Sequence, residues 1–189
     1  MILDAATEQP WEGGASFSLR HRLFRILFAV CWTLSCAWTP VPLHGWRRRV
    51  LKLFGARLAD TAIVYPSVKI WYPPNLGMGA HACLGPRADV YCIAKVVLGD
   101  HAIISQGAHL CTGTHDIEDP NFQLIARPIF IGARAWVASE AFVGPGVGVG
   151  EGAVLGARSV AFAELQPWTV YAGNPAVAIK SRRIRFSTG

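Results

Sequence analysis

The segment Ile131–Val160, IGARAWVASEAFVGPGVGVGEGAVLGARSV, sets an aliphatic residue at every sixth position: Ile131, Val137, Val143, Val149 and Leu155. Glycine or alanine follows each of them directly, and the fourth residue on is Ala135, Ala141, Val147, Ala153 or Ser159. A six-residue period fits neither a 3.6-residue helix nor the two-residue alternation of a flat strand. It describes a backbone that turns a corner after every six residues, with one large side chain pointing inward per side. The smaller residue lets each corner close. Three such sides make a triangular coil, and stacked coils make a solenoid.

The register extends upstream. Leu98, Ile104 and Leu110 are preceded by Met78, Leu84 and Val90, and these by Leu58, Val64 and Ile70. The step lengthens to eight between Ile70 and Met78 and between Val90 and Leu98, and to twenty-one between Leu110 and Ile131. Each lengthening follows a complete set of three hexads, so every insertion falls at the same corner of the prism. Five coils are expected between Leu58 and Leu165, a column on the order of 24 Å at the ~4.8 Å strand spacing.

The 189 residues suit one domain with appendages, and 52% hydrophobic residues support a sizeable core. The formal charge of +6 is unevenly placed. Residues 13–59 carry eight Lys/Arg and no acid, residues 60–179 six bases against nine acids, and residues 180–189 four bases and no acid. Basic flanks on a mildly acidic column suit a phosphate-bearing ligand or an anionic membrane; no nucleic-acid partner is expected, since duplex binding calls for a continuous basic face. The five cysteines show neither a CxxC pair nor metal-site spacing, which reads as buried thiols in a reducing compartment. The first fourteen residues lack the charge pattern of a cleaved signal peptide.

Residues 1–57 read as a helical cap or membrane-surface segment, 58–170 as the solenoid with an inserted loop at 116–130, and 171–189 as a basic helix and tail. In the first segment, helices are expected over roughly Leu19–Trp38 and His44–Phe54, broken by Thr39-Pro40-Val41-Pro42. The apolar run Ile26–Trp38 is too short for the ~20 residues of a membrane span. The helices either cap the first coil or lie in the plane of a membrane surface, and the two readings are compatible. At the other end, Asn174 reads as an N-cap and Pro175 as the first residue of a helix Ala176–Phe186, whose Lys180, Arg182, Arg183 and Arg185 would clamp phosphates.

His115, in the run LCTGTHD, stands where the fifteen-residue insertion Asp116–Phe130 begins. A long excursion from a compact column is usually functional, and an imidazole at its base suits a general base. Asp116 is a candidate to orient the ring. A Lys95 ammonium at the equivalent corner one coil earlier would favour the neutral base if it points that way. His81, His101 and His109 occupy ordinary side positions of hexads.

These repeats resemble those of the hexapeptide-repeat acyltransferases, whose core is a left-handed parallel β-helix. FGARL, ISQGAHLCTGTHD and the GNPA ending are most similar to the exopolysaccharide O-acetyltransferases of the colanic acid type. The resemblance implies an all-β solenoid trimer using acetyl-CoA as co-substrate and no metal. It implies a carbohydrate acceptor, on an exopolysaccharide or lipid-linked oligosaccharide precursor; the N-terminal segment adds peripheral membrane contact to an expected cytoplasmic location. His115 matches the catalytic histidine. Trp136 and Ser139 match positions beside the thioester and pantetheine, Ala157 a backbone contact to CoA, and Lys180 a residue near its phosphates, with Arg182 or Arg183 supplementing it. The chain departs from the galactoside and maltose enzymes at Phe162-Ala163, Val177, Gly85 and Ile93. Asp89 and Tyr91, with Lys95, stand in as acceptor contacts. A non-catalytic scaffold, a sugar N-acetyltransferase and a metal-dependent hydratase remain as alternatives.

Overall fold

The computed structural model describes residues 2–184. Its centre is a three-sided column of short parallel strands, one sheet per face. The first face carries Arg57–Leu58, Leu76–Met78, Val96–Leu98, Ile129–Ile131 and Gly148–Val149. The second begins with Ile63–Val64 and Cys83–Leu84 and continues through Ile103–Ile104, Trp136–Val137 and Val154–Leu155. The third runs from Lys69–Ile70 and Asp89–Tyr91 through His109–Cys111 and Phe142–Val143 to Val160–Ala161.

The hexad aliphatics stack in register up each face. Leu58, Met78, Leu98, Ile131 and Val149 are successive partners on the first, and Val64, Leu84, Ile104, Val137 and Leu155 on the second. All of them are buried, as are the corner residues Ala82, Ala88, Ala102, Ala108, Ala135, Ala141 and Ala153. The third residue after the aliphatic has a left-handed backbone at corner after corner: His81, Arg87, His101, Arg134, Glu140 and Arg158 all have φ between 56° and 59°. Such a residue reverses the chain within one turn and sends its own side chain outward. The repeat therefore explains His81 and His101 as turn residues, stacked ring on ring at 4.9 Å.

Five coils are complete, and a sixth is begun where Leu165 bridges Val149 and Tyr171 pairs with Leu155. The expected C-terminal helix is not formed. Residues Ala176–Ser181 are a strand, paired antiparallel with Thr169–Gly173, and the Asn174–Pro175 peptide is the cis bond of the turn between them. The last strand of the second face would otherwise leave its edge open, and this hairpin covers it at the cost of local helix propensity. Arg185 lies outside the described residues.

Before the column come three α-helices, α1 (Ala5–Glu8), α2 (Leu19–Ser35) and α3 (His44–Leu53). Phe28, Trp32 and Cys36 of the α2 region and Val50 and Leu51 of α3 join the core of the first coils without a break. Arg48 donates to the Ala62 carbonyl at 2.7 Å, and fully buried Arg47 donates to the Val64 carbonyl at 2.7 Å. The helices thus close the open end of the column. No helix among the described residues is long and apolar enough to cross a membrane.

Candidate active site

The insertion leaves the corner between the third and first faces as an antiparallel hairpin, with strand Gly113–His115 against Leu124–Ala126. Gly113 sits in a tight place. A Cβ there would lie 2.7 Å from Ile93 Cδ1 and 3.0 Å from Tyr91 Cε1. A side chain there would have to displace the end of Ile93 and press on the Tyr91 ring, so the glycine lets this strand lie close against both.

At the hairpin's end His115 is half-buried, with Nδ1 2.8 Å from the Phe122 carbonyl oxygen. The imidazole also lies face to face with the Phe122 ring, centroids 4.1 Å apart and planes 11° from parallel. A carbonyl oxygen can only accept, so Nδ1 carries the proton in the neutral ring and Nε2 holds the free lone pair. The geometry therefore fixes the tautomer suited to a base. Asp116 makes no hydrogen bond to this ring: its carboxylate accepts from the Glu118 amide at 3.1 Å, and its own amide donates to the Gln123 carbonyl at 2.9 Å. Neighbouring residues of an extended chain point opposite ways, which leaves orientation to Phe122.

Asp89 and Tyr91 lie on the third face, paired with His109 and Cys111. The Tyr91 ring meets Trp71 edge-on at 5.3 Å, and the Arg25 guanidinium lies 4.0 Å from the centroid of Trp71. Burial is the main cause that pushes the Tyr91 phenol above its ordinary pKa, so the hydroxyl stays neutral near pH 7. Lys95 is exposed at the same corner as the hairpin and has no ion pair among the described residues.

The remaining candidates gather elsewhere. Trp136 is on the second face, half-exposed, its indole N–H donating to Ser105 Oγ at 2.8 Å. Ser139 and Ala157 occupy equivalent turns of successive coils at the corner between the second and third faces, where the Arg158 amide donates a hydrogen bond to the Ser139 carbonyl at 2.9 Å. Lys180 is on the hairpin strand that extends the second face. Arg182 is committed to structure, with Nη1 donating to the carbonyls of Arg134 and Gly152 at 2.8 and 2.9 Å. Arg183 is exposed. Phe162 is exposed over Gly144, and Val177 is exposed on the terminal strand.

The candidate residues of one chain therefore fall in two groups on different edges of the prism. His115, Tyr91 and Lys95 belong to one edge; Trp136, Ser139, Ala157 and Lys180 belong to another edge and its adjoining face. Sequence reasoning missed Phe122, whose contribution is a backbone carbonyl with no side-chain signature, and Trp71 and Arg25, which stand far from the histidine in sequence.

No family model matches the chain. It is 44% identical over 146 residues to the colanic acid biosynthesis acetyltransferase WcaF of Escherichia coli K12, covering 77% of this chain and 80% of that one. It is 27% identical over 137 residues to the galactoside O-acetyltransferase of the same organism, covering 71% and 68%. The hexapeptide-repeat acetyltransferase VCA0836 of Vibrio cholerae, solved with acetyl coenzyme A, superposes with a TM-score of 0.77 at 20% identity, covering 96% of this chain and all of the other. The fold is that of the left-handed β-helical transferases. The chain belongs to the hexapeptide-repeat acetyltransferase family.

Proposed function

We propose that this protein moves an acetyl group from acetyl-CoA to a sugar hydroxyl of an exopolysaccharide or lipid-linked oligosaccharide precursor, as a homotrimer at the cytoplasmic membrane surface. The observation that carries the reaction is the Nδ1–H bond from His115 to the Phe122 carbonyl at 2.8 Å, which leaves Nε2 unprotonated. In the proposed step Nε2 takes the acceptor's hydroxyl proton while its oxygen bonds to the thioester carbon. The carbon–sulfur bond then breaks, and the CoA thiolate takes the proton back from the imidazolium. No enzyme-bound acyl group is required; holding both substrates together supplies much of the rate.

The separation of the two half-sites supports the trimer. An edge bearing His115 can meet an edge bearing Ser139 and Ala157 only when copies associate side by side. In that arrangement Trp136, Ser139, Ala157, Lys180 and Arg183 hold acetyl-CoA, while Tyr91, Asp89 and Lys95 face the acceptor. Asp116 acts through the loop. The test is a screen of nucleotide sugars and lipid-linked oligosaccharides with labelled acetyl-CoA, read by mass spectrometry. An O-acetyl ester on a sugar is expected; an amide product, or no transfer to any sugar, would overturn the acceptor assignment.

The membrane reading rests on α2. Its solvent side is apolar along its length: Leu19, Leu23, Ile26, Leu27, Val30 and Leu34 are each 51–70% exposed. An ordinary surface helix turns its polar side outward. Arg20 and Arg22 flank the stripe, and exposed Arg49 and Lys52 follow on α3. Apolar contact bordered by cations fits anionic lipid headgroups. The full chain is expected to sediment with phosphatidylglycerol vesicles and much less with phosphatidylcholine vesicles, and Leu23→Asp with Leu27→Asp should abolish that binding. Equal partition of the wild type in both vesicle types at low salt would remove the charge argument, and no sedimentation with either would remove the contact.

A further inference from the structure

Residues 2–18 fold back on themselves. Ile2 bridges Phe17, the Leu3 amide donates to the Ser16 carbonyl at 3.0 Å, and the chain between folds over as α1 and a turn of 3-10 helix at Pro10–Glu12. This closed loop lands on the hairpin that carries His115. The Ala5 amide donates to Gln123 Oε1 at 2.7 Å, and Gln123 Nε2 donates back to the Leu3 carbonyl at 3.2 Å. The Trp11 ring lies against the Phe122 ring with centroids 4.6 Å apart.

The contacts form one continuous path. The Phe122 ring contacts both Trp11 and the imidazole, while its carbonyl accepts from Nδ1. Gln123 is held by the loop through its side chain and by Asp116 through its backbone carbonyl. Phe122 has φ of 54°, a left-handed conformation that an aromatic residue rarely adopts unless its surroundings fix it. The hairpin alone contributes three paired residues on each strand, which is marginal in isolation. Within the loop the Phe122 amide donates to the Asp119 carbonyl at 2.9 Å, and from outside the hairpin the N-terminal loop adds the Trp11 ring against it.

We infer that residues 2–13 are a strap that sets the tautomer and aim of His115 through Phe122 and Gln123, so that Gln123 and Trp11 are positioning residues of the active site. The inference rests on His115 being the base. Without the strap, the Phe122 carbonyl drifts from Nδ1 and the ring relaxes toward the Nε2–H tautomer that predominates in water, which has no lone pair on the reacting side.

The test uses the full chain labelled with 15N-histidine and needs no substrate for its first readout. Wild-type protein at pH 8 should show the His115 proton on Nδ1. In Gln123→Leu and Trp11→Ala the signal should shift toward the Nε2–H pattern, whereas Trp11→Phe keeps the wild-type spectrum. With acetyl-CoA and mixed nucleotide sugars, kcat should fall about ten- to a hundredfold in Gln123→Leu, with KM for acetyl-CoA unchanged. Trp11 is 67% exposed, so its replacement leaves no cavity and keeps the test valid even where Gln123→Leu fails to fold. An unchanged tautomer in both variants would overturn the strap. Full activity in His115→Ala would instead overturn the base assignment, an outcome separable from the first.

Discussion

Replacing His115 with alanine is expected to lower acetyl transfer by about a hundred- to ten-thousandfold, the range that a positioned base contributes. The fall should appear in kcat, because in the proposed step the imidazole acts on the hydroxyl as bonding changes and not on acetyl-CoA binding. Thiol release from acetyl-CoA in the presence of acceptor measures it directly. His115 is half-buried on a hairpin outside the core, so thermal stability and oligomeric state should stay near those of the wild type. A variant that keeps more than about a tenth of the activity would show that another group takes the proton. A scaffold without catalysis would need neither this residue nor its loop.

The largest loss of stability is expected at Arg47. Its guanidinium is wholly buried at the junction between the helices and the first coil, and no carboxylate among the described residues pairs with it. Backbone carbonyls and one hydroxyl take its place, with the His44 Nδ1 also 3.1 Å from Nη2. Nε donates to Val64 at 2.7 Å, Nη1 to Thr39 Oγ1 at 2.7 Å and to the Pro40 carbonyl at 3.0 Å, and Nη2 to the Val41 carbonyl. Burial holds its pKa below that of a free guanidinium, but arginine stays charged under all ordinary conditions. The fork ties the turn after α2 to the second face of the column. Arg47→Met fills similar space yet orphans these acceptors, and should cost about 3–5 kcal/mol in a urea titration. Arg47→Lys offers one point charge where a planar fork is needed and should recover only part of that. A loss below about 1 kcal/mol for Arg47→Met would mean that water reaches the carbonyls and the cap is looser than described.

Much of the architecture was legible because the column repeats. A six-residue step, once recognised, fixes which side chain points inward at every position, and the stacked partners Leu58, Met78, Leu98, Ile131 and Val149 follow from arithmetic. The C-terminal error has the opposite cause. Asn174-Pro175 and the Ala/Lys/Arg-rich run after it satisfy local rules for a helix start, but the open edge of the second face offered the backbone better partners. Local propensity is a weak guide where a sheet edge lies within reach.

The positions of the candidate residues were legible to the same extent that they follow or interrupt the repeat. His115 drew attention because the insertion begins beside it. Phe122 could not, because its carbonyl is chemically the same as every other in the chain. Gln123 and Trp11 join segments more than a hundred residues apart, and nothing in the sequence links a short N-terminal run to one particular loop. The spread of Ser139 and Ala157 away from His115 was equally hidden, since a single sequence does not say which edges of neighbouring copies face one another.

The hairpin leaves at the one corner where coil length varies, and this has a consequence for engineering. At the other two corners, six-residue steps are locked by amide hydrogen bonds between coils, such as Gly99 to the Ile131 carbonyl at 2.7 Å and Ser105 to the Val137 carbonyl at 2.9 Å. One added residue there would invert every side chain beyond it. The remaining corner absorbs two or fifteen extra residues without disturbing the stack. It is a free port for grafting, where loops can be lengthened, shortened or randomised to seek new acceptors while the load-carrying framework is left untouched.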